Sequence, residues 1–168
     1  SMVYPGIDLE PTRKILEAKI GLTMSPGEGL TSGDQEPWVA DAKASIKWAY
    51  WDAYQKQLKS QGLTPSILRA IDEDTENVLT ECGNPSNSEP WRVYGLVMGD
   101  VQSGKTGNYC GLINKAADAG YKIIVLLTGT IEELRSQSQE RMDEGFVGED
   151  SNDVMDGVRT KVLGAGRF

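Results

Sequence analysis

Residues 99–106 read Gly99-Asp100-Val101-Gln102-Ser103-Gly104-Lys105-Thr106, and they fill every fixed position of the pattern G-x-x-x-x-G-K-[ST]. Each residue type has a job in holding a nucleotide. Successive backbone N–H groups in such a loop converge into an anion-binding nest. Gly99 and Gly104 permit backbone angles and close approaches that a side chain blocks. A helix opening near Lys105 adds the positive end of its dipole to the same spot. Lys105 then reaches the β and γ phosphates as the catalytic cation, and the Thr106 hydroxyl binds Mg²⁺. The eight residues from Gly99 to Thr106 therefore predict a site for ATP and Mg²⁺.

Chemistry of this kind needs a strand before the loop and a helix after it. Residues 91–99, WRVYGLVMG, form a compact apolar run that predicts a buried strand. Residues 106–120 have helical spacing and end at Gly120, and 121–129, YKIIVLLTG, predict a second strand. Residues 130–145 predict a helix with Thr130 and Glu133 as a capping box. The order strand, helix, strand, helix begins a parallel α/β sheet of the RecA-like P-loop NTPase kind.

The first half of the chain reads differently. Residues 9–20 predict a short helix, 21–37 a loop rich in Gly, Pro, Ser and Thr, and 38–60 a firmer helix carrying Trp48, Tyr50, Trp51 and Tyr54. Those aromatics suit a core or interface face better than base stacking, because their surroundings are acidic. Thr64-Pro65 supplies an N-cap and a first-turn proline for a helix running to Gly83, with the acids of 72–76 on a solvated face. The expected organisation is a helical region over 1–90 and a truncated P-loop NTPase domain over 91–168.

Composition narrows the function. The chain has 168 residues, 17 Lys and Arg against 25 Asp and Glu, and a net charge of −8. Such a balance does not suit a nucleic-acid grip by this piece alone. With no histidine and two cysteines, His general-base chemistry, His/Cys zinc sites and a disulfide framework are excluded. No apolar run reaches a membrane span, and the expected setting is the reducing cytoplasm. Asp8, Glu17 and Lys19 faintly match a D…E-x-K nuclease site, but they fall in a predicted helix where such sites use strands.

Thr128, Gly129 and Thr130 follow the second predicted strand, where exposed N–H groups and hydroxyls suit phosphates of a nucleic-acid backbone. Arg135 lies on the helix that follows. A second acidic motif, needed to hold Mg²⁺ and to position water, is not evident: Asp150, Asp153 and Asp156 sit in a polar tail with no apolar strand before them. The expectation is a chain that stops early in an NTPase domain and turns over little ATP alone.

Residues 95–148 resemble the Z-one family of bacterial endonuclease proteins, which carry a superfamily-two helicase-like ATPase core. The resemblance rests on VQSGKT, LINKAADAGY, LTGT, LRSQSQ and R-x-D-E-G-F. It implies ATP binding at Gly99–Thr106, DNA as the substrate of the full-length protein, and a role in restriction or phage defence with possible partner subunits. It also places Thr128, Gly129 and Thr130 where helicase-like proteins carry their first strand-contacting motif. Two other readings stand beside it: a small P-loop phosphotransferase, and a non-enzymatic helical interaction module docking through 38–60.

Overall fold

The computed structural model describes residues 37–98, 105–150 and 155–157. The helix expected over 9–20, the loop expected over 21–37 except its last residue, and the D…E-x-K residues lie outside them. Among the described residues there are five α-helices: α1 (Val39–Ala42), α2 (Ala49–Ser60), α3 (Pro65–Glu81), α4 (Lys105–Asp118) and α5 (Glu132–Met142). A π-helical turn, Asp143–Val147, continues α5.

Helix α3 follows from its sequence. Pro65 occupies the first turn, and the Thr64 side chain accepts the Ile67 N–H at 3.5 Å. Ile67, Leu68, Ile71, Thr75 and Leu79 recur at helical spacing and are buried. Helices α2 and α4 end alike. Leu63 N–H bonds Leu58 O and Gly62 N–H bonds Lys59 O. Tyr121 N–H bonds Ala116 O and Gly120 N–H bonds Ala117 O. Both ends use a glycine of positive φ, 87° at Gly62 and 101° at Gly120, the left-handed residue that this type of helix end requires.

Helices α2, α3 and α4 pack on one another around Trp51, Tyr54, Leu58, Ile67, Leu68, Ile71 and Cys110. Helices on either side of residue 90 thus share one core. The close approach depends on Gly111 of α4. A Cβ there would lie 3.1 Å from Thr75 Cγ2 and 3.1 Å from the Trp51 ring.

The parallel α/β sheet is not found. Among the described residues there is no strand, and residues 91–98 and 121–129 carry no regular structure. A strand exists only through a ladder of hydrogen bonds to a neighbour, and neither segment has one. Their side chains stand in solvent: Leu96, Val97 and Met98 in the first, Ile123, Val125 and Leu127 in the second. The architecture described is helical, and the fold class expected from the apolar runs is corrected accordingly.

Three smaller expectations also change. The helix expected over 38–60 is broken at 43–48, with turns between α1 and α2. The last helix begins at Glu132 with Ile131 as its N-cap and no side-chain cap, so the Thr130–Glu133 capping box does not form. The acids of 72–76 are not merely a solvated face: Asp72 and Glu76 bind lysines, and Thr75 is buried.

Candidate functional site: the start of helix α4

Gly99, Asp100, Val101, Gln102, Ser103 and Gly104 lie outside the described residues. The backbone of Lys105 and Thr106 opens helix α4, where the phosphate-loop pattern requires a helix to begin. The helix runs fourteen residues with no acid in its first turn. Its dipole is therefore not neutralised there by a carboxylate of its own.

The elements behind this helix hold it by polar contacts as well as by packing. Near its start, the Tyr54 hydroxyl of α2 donates to Gly107 O at 3.4 Å, and Asn108 Nδ2 donates to Asp74 Oδ2 at 3.4 Å. In its middle, Lys115 is buried, with a side chain 2% exposed. Its Nζ donates to Asp72 O at 2.7 Å and to Asp72 Oδ1 at 2.6 Å, and lies 4.6 Å from the centre of the Trp51 ring. Burial pushes the Lys115 ammonium below its usual range, and the contact with Asp72 opposes that shift.

At the far end, the Asp118 carboxylate accepts three backbone N–H groups at the start of α2. Ala49 and Tyr50 donate to Oδ1 at 3.1 and 3.0 Å, and Trp51 donates to Oδ2 at 2.9 Å. The N-cap residue of α2, Trp48, offers no side-chain acceptor. Asp118 thus supplies the cap from another helix, which satisfies the open donors of α2.

The turn after α5 closes on the same helix. Asn114, fully buried, donates from Nδ2 to Cys110 O at 2.8 Å and to Gly145 O at 2.9 Å. Gly145 lies against Tyr54 and Cys110, where a Cβ would meet the Cys110 sulfur at 3.5 Å. Burial raises the Cys110 thiol to about 11, so it stays protonated and is no nucleophile.

Thr128, Gly129 and Thr130 lie on the exposed, irregular segment ahead of α5. Arg135 is exposed on α5 and engaged by Glu132, with Nε–Oε2 at 3.0 Å and Nη2–Oε1 at 2.5 Å. The aromatics of 48–54 belong to the core: Trp51 and Tyr54 are buried, and Tyr50 packs on Phe146 with ring centres 5.4 Å apart. Neither a base-stacking face nor a docking face remains at Trp51 and Tyr54.

A shallow depression between Lys43, Asp72, Glu73, Glu76 and Asn77 is lined mainly by carboxylates, which repel phosphate. Among the described residues no group of three or more Asp, Glu, Cys or His is placed to hold a metal ion, and no helix is long and apolar enough to cross a membrane. Sequence reasoning missed Asp118, Lys115 and Asn114 as organisers of α4. Their only signal is a polar residue at a core-facing helical position.

No family model, curated protein or solved structure matches the chain.

Proposed function

We propose that the chain binds ATP with Mg²⁺ through residues 99–106, as part of an ATP-dependent, helicase-like protein acting on DNA. One observation supports the reading above the others: a fourteen-residue helix begins at Lys105, directly after a glycine-rich segment with phosphate-loop spacing. The reading rests on the spacing of the loop and on the helix after it; the strand expected before the loop is not found among the described residues.

In this reading Lys105 pairs with the β and γ phosphates. The Thr106 hydroxyl supplies a ligand to Mg²⁺, whose charge neutralises the phosphate oxygens when it is bound. Backbone N–H groups of the loop and the first turn of α4 hold the phosphates in place. The packing of α4 on α2 and α3 holds the N–H groups of its first turn before the nucleotide arrives, which lowers the cost of binding. Action on DNA, with Thr128, Gly129, Thr130 and Arg135 as candidate backbone contacts, belongs to the full-length protein. So does efficient hydrolysis. The cytoplasm is the proposed location, in keeping with the free thiols of Cys82 and Cys110.

A thermal-shift series tests the reading. Mg-ATP at a hundred times its dissociation constant adds about 2.7 kcal/mol to the stability of the binding-competent chain, and the midpoint rises accordingly. No rise with Mg-ATP, or an equal rise in Lys105→Ala, contradicts it.

A further inference from the structure

Two apolar segments, 91–98 and 121–129, leave the helical core from one place. The Trp91 and Tyr121 rings meet edge to face with centres 6.0 Å apart, and the Tyr121 hydroxyl donates to Gly83 O just past the end of α3. The Trp91 ring lies so close over Gly83 that an added Cβ would strike it. Beyond this anchor both segments run into solvent. The second has the pattern of a strand. Ile123, Val125 and Leu127 are 81%, 74% and 89% exposed, whereas Ile124 and Leu126 are 40% and 41% exposed. Exposure that alternates with a period of two marks an extended backbone with side chains on two faces. Its N–H and C=O groups have no ladder among the described residues. The segment therefore offers an open edge of the kind that takes up another strand.

Three features argue for a second copy of this chain as the occupant. The exposed area of Tyr94, Leu96, Met98, Ile123, Val125 and Leu127 together is on the order of the ~800 Å² that each partner of a standard interface buries. The charge favours the same place. Lys122 and Arg92 are the only charged residues of the two segments, in a chain of net charge −8, so two acidic copies repel least where these segments meet. The sequence of 121–129 is also compatible with itself. Antiparallel pairing centred on Val125 sets Ile123 opposite Leu127 and Ile124 opposite Leu126, and it sets Lys122 opposite Thr128, so no like charges face each other. Such a pairing has two-fold symmetry and closes at two copies. We propose that 121–129 pairs in this antiparallel register with the same segment of a second copy, and that 94–98 of each copy adds apolar area to the interface. The proposal uses no residue of 99–106 and does not rest on the nucleotide reading.

The test uses the whole chain, sedimented over a dilution series through the micromolar range, the weak end for an interface of this size. Val125→Lys sets two like charges directly opposite each other at the centre of the pair. The Val125 side chain stands in solvent in the single copy, so the substitution leaves the helical core untouched. Met155→Lys adds the same charge at an exposed site outside both segments. Val125→Cys and Lys122→Cys, treated with a mild oxidant beside the unaltered chain, read the register. Opposite residues of an antiparallel pair come within reach of a disulfide, and position 125 faces itself whereas 122 faces 128.

The expected result is a species of twice the 18.3 kDa chain mass that dissociates on dilution. Val125→Lys weakens it by about tenfold or more, and Met155→Lys leaves it unchanged. Val125→Cys gives a cross-linked pair of chains, and Lys122→Cys does not. A single copy throughout the series overturns the proposal. In that case slow thiol labelling of Val125→Cys shows that the chain covers the face itself, and fast labelling shows that the face is left to a different occupant. A pair of chains that Val125→Lys leaves intact also overturns it, since the copies then meet elsewhere. So does a cross-link of equal yield from Lys122→Cys, which excludes a register centred on Val125.

Discussion

Two glycines of helix α4 make opposite predictions from the same substitution. An alanine in a helix interior is favoured over glycine by up to about 1 kcal/mol, because glycine loses more backbone freedom on folding. At Gly107 the nearest atom to an added Cβ is Ile71 Cδ1 at 3.5 Å, an ordinary contact with the end of a flexible side chain. Gly107→Ala is expected to gain a few tenths of a kcal/mol, up to about 1. At Gly111 the added Cβ meets Thr75 Cγ2 and the Trp51 ring, both at 3.1 Å. Neither can give way easily. Thr75 Oγ1 is bonded to Ile71 O at 2.6 Å, which fixes its rotamer, and Trp51 is 5% exposed within the core beneath Lys115. Overpacking of a dense core costs about 1 to 3 kcal/mol, more than the helix preference returns. Gly111→Ala is therefore expected to lose about 1 to 2 kcal/mol net. Urea denaturation followed by circular dichroism, at equal slope, measures both. A stabilised Gly111→Ala, or a Gly107→Ala as damaging as Gly111→Ala, refutes the packing of α4 on α2 and α3.

The other predictions concern buried polar groups. Lys115→Ala leaves a cavity beside Trp51 and is expected to cost about 2 kcal/mol, since the Asp72 carboxylate is 39% exposed and water takes over its bond; Lys115→Met refills the space and costs less, with denaturation midpoints separating the two. Alkaline pH should destabilise the chain through Cys110, whose pKa is raised from 9.0 to about 11. A group raised in the folded state contributes stability that is whole below its unfolded value and lost as pH rises through its folded value. About 2 to 3 kcal/mol therefore disappears between pH 9 and 11, in part offset by Lys115, which is shifted the other way. In Cys110→Ala the pH dependence of stability over that range is correspondingly flatter.

How much of this was legible in the sequence varies from element to element. Helices α3 and α4 announce themselves through Thr64-Pro65, through helical apolar spacing and through Gly120, because caps and periodicity are local. The break at 43–48 is only partly local: Ser45 Oγ donates to Ala42 O and Trp48 Nε1 donates to Lys43 O within it, while Asp118, far along the chain, caps the helix that resumes at Ala49. The apolar runs at 91–98 and 121–129 show a preference for strands. A preference names no partner, and a strand without a partner is not a strand. In the site, the spacing from Gly99 to Thr106 was visible at once because every fixed position is defined by type. The supports of that site were not. Lys115 and Asp118 look like ordinary surface residues until α2 and α3 are packed against them.

The central claim is that Lys105 and Thr106 receive a nucleotide at the head of α4. Calorimetric titration of the whole chain with Mg-ATP, beside Lys105→Ala and Thr106→Ala, addresses it directly. Saturable heat is predicted for the unaltered chain. Lys105→Ala should abolish it, and Thr106→Ala should make affinity insensitive to Mg²⁺. Binding of equal strength in all three would contradict the claim, as would no binding by the unaltered chain.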